Sequence, residues 1–273
     1  MLLTLAATSF RAALRRERPG PKSMSLTDLP RYAREHLGLF GLNVATEFLA
    51  GADLSRLDAL REAADKAQCP ILVLVESEVQ PLGHASEERA QAGIDRVVRV
   101  ARAAQRLGCS SAAVSIAVAD EPAAMDVAAA RLKRALQAAD RLEVNVLISP
   151  SPGLTANPDR LTELIKKVGG FRIGTFPDFQ TASKSPDPIQ YLRRLTPYAA
   201  AVSASIVNVK ASRKAPGAVH EPYDLVAFAE AVAAVGYTGT LAIDYRGEGE
   251  AAEAIIRART ILETVVGTEG VVE

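Results

Sequence analysis

Eight times along this chain a short run rich in Val, Ile, Leu and Ala gives way to a longer segment of helical periodicity, and no other feature restricts the fold so strongly. Such runs read as buried parallel strands, and the segments between them as crossover helices. Eight units in succession predict one α/β domain, a (β/α)8 TIM barrel spanning residues 1–273. The series opens with Leu2 to Ala7, a long basic loop from Ser9 to Met24, and a helix entered near Thr27 or Asp28, where Pro30 suits the first turn. Leu39 to Ala45 and a helix capped by Asp53 follow. After Pro70 come ILVLV and the longest helix, whose Ile94, Val97, Ala101, Ala104 and Leu107 share one face.

The second half repeats the pattern. Ala112 to Ala117 precedes a helix opened by Glu121 and Pro122, and Val144 to Ile148 precedes one opened by Asn157 and Pro158. Gly169 and Gly170 end that helix; no helix starts behind them, so a phosphate loop is not expected there. The sixth unit is Phe171 to Thr175 with a helix around Pro188 to Leu195. The seventh is Ala199 to Ser205, a polar loop VNVKASRKAPGAVHEP, and a helix from Tyr223 to Val235. Thr238 to Ile243 and a last helix complete the set, with only a short polar tail and no second domain after them.

Charge bounds the partners. Lys plus Arg equal Asp plus Glu at 32 each, so no basic field is available for nucleic acid or an anionic membrane. In MLLTLAATSF the arginines (Arg11, Arg15, Arg16 and Arg18) come after the apolar run, opposite to the order in a signal peptide, and the run reads as a strand. No apolar stretch nears the roughly 18 residues that span a bilayer. Cys69 and Cys109 stand apart, as core thiols of a cytoplasmic protein do.

In such a barrel the reacting groups come from the C-terminal ends of the strands and the loops behind them. That rule selects Ser9 and Arg11, Glu47, Glu76, Asp120 and Glu121, Ser149 and Ser151, Asp178 and Gln180, then Ser203, Ser205, Asn208 and Lys210, and finally Asp244 and Arg246. Asp178 and Asp244 each follow a buried run directly, where an acid needs a partner. Glu76, Asp120 and Glu121 also fit solvated or helix-capping roles. The cluster Lys210, Arg213 and Lys214 reads as a solvated loop or as a holder of a phosphate or sugar acid. Of the three histidines only His220 is placed to reach the mouth.

Three stretches carry a likeness: GTFPDF (174–179), LTPYAAAV (195–202) and GYTGTLAIDYRGEG (236–249). In that order they resemble the sugar phosphate isomerase/epimerase family with the xylose-isomerase-like barrel, whose members read near GT-x-PDFGN, P-x-A-x-x-V-H-A-K and GY-x-G-x-L-x-I-E-Y-x-G. The resemblance implies a divalent cation held by Glu, Asp, His and Glu from strands five to eight. Those positions are Ser149, Asp178, Ser203 and Asp244 here, and the lysine that often follows the histidine is Ser205. Two hydroxyls in place of a carboxylate and an imidazole leave the implied metal site (Mn, Mg or Zn) weak or absent, and no tightly bound cofactor is expected.

The resemblance implies a small sugar or polyol as partner and allows a homodimer. Two readings follow. One is an isomerase, epimerase or lyase with Asp178 and Asp244 as acid/base pair or residual metal ligands. Arg11, Glu47, Ser149, Gln180, Ser203, Lys210, His220 and Arg246 would bind its substrate. The other is a catalytically inactive paralogue that binds carbohydrate or a protein partner. The endonuclease branch of the family acts on abasic DNA with many histidines and a basic groove, and this chain has neither.

Overall fold

The computed structural model describes residues 1–15, 23–213 and 217–267. Arg16, Arg18, Lys214 and the polar tail lie outside them. Eight parallel strands form one curled sheet: β1 (Leu2–Ala6), β2 (Leu42–Ala45), β3 (Ile71–Gln80), β4 (Ser111–Ile116), β5 (Asn145–Ser149), β6 (Ile173–Thr175), β7 (Ala201–Ile206) and, after a hairpin, β10 (Thr240–Tyr245). Their order runs β6-β5-β4-β3-β2-β1-β10-β7. Two single parallel bridges, Thr175 with Ala199 and Asp178 with Ser203, bring the ends together between β6 and β7. The barrel expected from eight alternating units is the fold observed.

Residue parity divides two cores. Leu3, Leu5, Val44, Val114, Ile148, Val202 and Ile243 point outward into one layer with the helices. Inside the barrel a smaller plug of Val73, Ala113, Leu147, Phe176 and Ala201 fills the middle. The outer helices that carry most of this layer are α2 (Leu29–Leu37), α3 (Leu54–Lys66), α4 (Glu87–Leu107), α5 (Pro122–Ala139), α6 (Pro158–Val168), α8 (Pro188–Leu195), α9 (Leu225–Ala233) and α10 (Ala251–Val266). Their caps follow the sequence: Asp53, Ser86, Asn157, Asp187 and Asp224 each accept a bond from a first-turn backbone N–H. Gly108 closes α4 in the left-handed conformation that its φ of 81° requires.

The structure departs from expectation in three places. The stretch after β1 opens with a 3-10 turn (Ala7–Phe10) running into α1 (Arg11–Leu14). Phe171 does not begin β6 but stands wholly exposed before it. The polar stretch after β7 holds an antiparallel hairpin, β8 (Asn208–Ala211) and β9 (Ala218–Glu221), with Val209 opposite His220. Val209, Ala218 and His220 are buried while their neighbours are exposed, a period of two that the polar composition masks. Among the described residues no helix is long and apolar enough to cross a membrane. Both cysteines are free and buried, and burial pushes each thiol up to about 12.

Candidate functional site

At the C-terminal ends of the strands Asp178 and Asp244 flank β7, with Ser203 paired beside Asp178 and Ser205 beside Asp244. Both acids are buried, at 8% and 7% exposure. Asp178 is the N-cap of α7 (Phe179–Ala182), and its Oδ1 accepts from the Thr181 N–H (2.8 Å) and hydroxyl (2.9 Å). Asp244 ends the interior-facing row of β10, and its Oδ1 accepts from the Thr8 hydroxyl (2.6 Å) in the turn after the neighbouring strand β1.

Between the two acids lies the guanidinium of Arg246. Its Nε donates to Asp244 Oδ2 (2.8 Å), and its Nη2 donates to Asp178 Oδ2 (2.6 Å) and lies 2.7 Å from Asp244 Oδ2. Nη1 donates to the Gln180 Oε1 (3.0 Å) and Asp178 Oδ1 (3.2 Å). Every nitrogen of the fork therefore faces a protein acceptor. Burial opposes the charge on Arg246, but the two carboxylates outweigh it and hold the guanidinium above its ordinary pKa.

A cleft of about 430 Å³ opens beside this trio. Thr8, Asn43, Ser77, Ser203, Asp244 and Arg246 supply its polar lining, Phe176 and Tyr245 its aromatic lining, and Arg11 and Glu47 its rim. Arg11 donates from Nε to Glu47 Oε1 (3.0 Å), and Arg15 pairs with Glu47 Oε2. The Glu47 N–H donates to Ser77 Oγ (3.2 Å), and the Ser77 N–H to Thr46 Oγ1 (3.1 Å), which ties the turn after β2 to β3. Asn43, at 3% exposure, lines the cleft with neither its amide oxygen nor its amide nitrogen bonded to anything. Buried amides almost always find partners, so this one asks for a ligand or ordered water.

Of the expected site residues, Asp244, Arg11, Glu47, Ser203 and Arg246 meet at the cleft, while Asp178 and Gln180 sit behind it, joined through Arg246. Ser149 is half-buried on β5 and does not line it. Lys210 is paired with Glu221 (2.7 Å) on the hairpin, outside the lining. His220 is a correction to the sequence reading. Its Nε2 accepts from the Val207 N–H (3.0 Å), and its Nδ1 donates to the Tyr223 carbonyl (2.9 Å), so both ring nitrogens are spent inside the hairpin base.

Four further candidates are held by protein groups. Ser9 Oγ accepts from the Tyr245 N–H (2.8 Å), and Ser151 Oγ donates to the Ile116 carbonyl (2.9 Å). Glu76 and Asp120 pair with Arg96 (2.7 Å) and Arg160 (2.9 Å). Asn43 and Thr8 were missed for opposite reasons. Asn43 is a polar residue within a strand rather than at its end, and Thr8 falls between the expected first strand and the loop from Ser9. The one sequence signal for Asn43 is its inward parity within LNVA.

Burial lowers His220 below the usual imidazole value, against the opposing effects of its bond to Tyr223 and of Glu221 nearby. The folded state thus keeps it neutral where the unfolded chain takes up a proton. Its contribution is complete above about pH 6.5 and is lost as the pH falls through the folded value. Urea unfolding is expected to show stability falling as the pH drops below about 6.5, and His220→Leu should flatten that part of the slope while lowering stability throughout.

A divalent cation needs donors with open lone pairs. The serines at two implied ligand positions offer neutral hydroxyls, and the two carboxylates already hold Arg246. Among the described residues no group of three or more His, Cys, Asp and Glu is arranged to hold a metal ion. This donor set does not fit one.

A family model described as xylose isomerase-like TIM barrel matches residues 32–264. No curated protein matches by sequence. Among solved structures, an L-ribulose 3-epimerase superposes with a TM-score of 0.77 at 13% identity, covering 97% of this chain and 96% of that one. A D-psicose 3-epimerase determined in the presence of D-fructose gives 0.73 at 13% identity, covering 98% and 100%. A xylose isomerase-like TIM barrel protein from Mycobacterium smegmatis in complex with magnesium gives 0.69 at 17%, covering 97% and 96%. At these identities the likeness is one of fold.

Proposed function

Because this chain belongs to the xylose isomerase-like TIM barrel family, we propose that it binds a small sugar or polyol in the cleft at the mouth of its barrel, the family's metal site being largely lost. The observation that carries this reading is Asn43, a buried amide on the cleft lining with donor and acceptor both unmet. Thr8, Ser77, Ser203 and Asp244 around it present the mixture of donors and acceptors that ring hydroxyls need, and the cleft falls in the size range of small-molecule sites. The epimerase names of two fold neighbours point to the same ligand class.

Binding is preferred to turnover because both oxygens of Asp178 are occupied by protein donors and Asp178 does not line the cleft. One observation favours an isomerase or epimerase instead: Asp244 does line it. Calorimetric titration with neutral ketoses and polyols in the presence of a chelator tests the binding reading. Asn43→Leu, near in size, is expected to weaken binding about tenfold or more. The same change should leave the fold as stable or raise it by about 1 kcal/mol, since it removes two unbonded polar atoms. If no ligand of this class binds, the reading fails. Deuterium entering a ketose from solvent, and ceasing to enter in Asp244→Asn, would select the enzyme.

A further inference from the structure

We propose that Arg246 is the resident cation of this site: its guanidinium holds the place between Asp178 and Asp244 that a divalent metal would need, and the mouth works without a metal ion. The two acids come from opposite sides of β7, and Arg246 joins them within 2.8 Å of each. A guanidinium is planar, always charged, and matched by its fork to a pair of carboxylates, so it bonds both and offsets one of their two charges.

The backbone fixes this placement. The Arg246 N–H donates to the Ile206 carbonyl (2.8 Å), which holds the end of β10 against β7. Gly247 lets the chain pass so near that a Cβ there would lie 1.8 Å from the Val207 carbonyl oxygen. Ser203, on the strand between the acids, is small and leaves room for the fork. A metal ion entering this space would face a positive charge within contact distance and carboxylate lone pairs already taken. The inference concerns the cation alone, and stands or falls apart from the identity of the ligand in the cleft.

The test is binding of Mn2+ itself, read by calorimetry and by loss of the free-ion electron paramagnetic resonance signal. Wild type is expected to bind none in the micromolar range. Arg246→Ala frees two facing carboxylates and should bind Mn2+ at least about tenfold more tightly than wild type, and adding Asp244→Asn should abolish the gain. Mn2+ should also raise the melting temperature of Arg246→Ala and not that of wild type. Micromolar binding by wild type overturns the proposal, as does a folded Arg246→Ala with no gain. If that variant does not fold, Arg246→Gln takes its place in the same titration, and if neither folds the wild-type titration decides.

Discussion

Replacing Arg246 with alanine is expected to destabilise the fold by about 2–3 kcal/mol and to lower the melting temperature by roughly 5–10 °C. Removing one member of a buried ion pair costs about 3–5 kcal/mol when the remaining charge stays out of water. Here two carboxylates, at 8% and 7% exposure, would be left facing each other. The lower figure applies because the arginine side chain is 38% exposed and solvent screens part of the loss. Gln180 would lose its donor as well. Arg246→Lys keeps the charge but not the fork and should fall between. Urea unfolding of the three proteins measures this, and an unchanged Arg246→Ala would mean that the trio does not help to hold the mouth together.

Phe179→Ala should have the larger effect, about 3–5 kcal/mol, and would come from packing rather than charge. Phe179 is fully buried, and its ring meets that of Phe228 edge-on at 5.5 Å, while Phe228 stacks on Tyr223 at 4.9 Å. The ring anchors the first residue of α7, and Asp178 caps that helix from the preceding position. Thermal and urea unfolding should show the full loss in Phe179→Ala and only about 1–2 kcal/mol in Phe179→Leu, which keeps most of the volume. Equal losses in both would show that ring shape rather than volume matters there.

The barrel was legible because its information is periodic. Most residues of the barrel strands are buried on both faces and each long helix on one, so composition and spacing mark them even where the ends shift by a few residues. Pro188 to Leu195 and the caps at Asp53 and Asn157 are read directly from local chemistry. The hairpin was not legible, since Val209 and His220 become a pair only when residues eleven apart in sequence meet across a turn.

The site was legible as positions and not as contacts. Asp178, Asp244 and Arg246 follow from the rule about strand ends, but the rule cannot say that the arginine turns back onto both acids instead of reaching toward a ligand. His220 illustrates the same limit: its chemistry suits a binding site, and only the fold reveals that the Val207 N–H and Tyr223 carbonyl have taken both nitrogens. Asn43 failed the rule from the other side, since a strand interior is where apolar residues are expected.

The seam between β6 and β7 gives the cluster at the mouth a mechanical meaning. Six paired positions join β7 to β10, whereas the β6–β7 junction has two separate bridges at Thr175 and Asp178. Arg246 reaches from β10 past β7 to the first turn after β6, and so acts as a latch over a junction that few backbone pairs close. The residue that lines the cleft and the residue that closes the wall are therefore the same arginine.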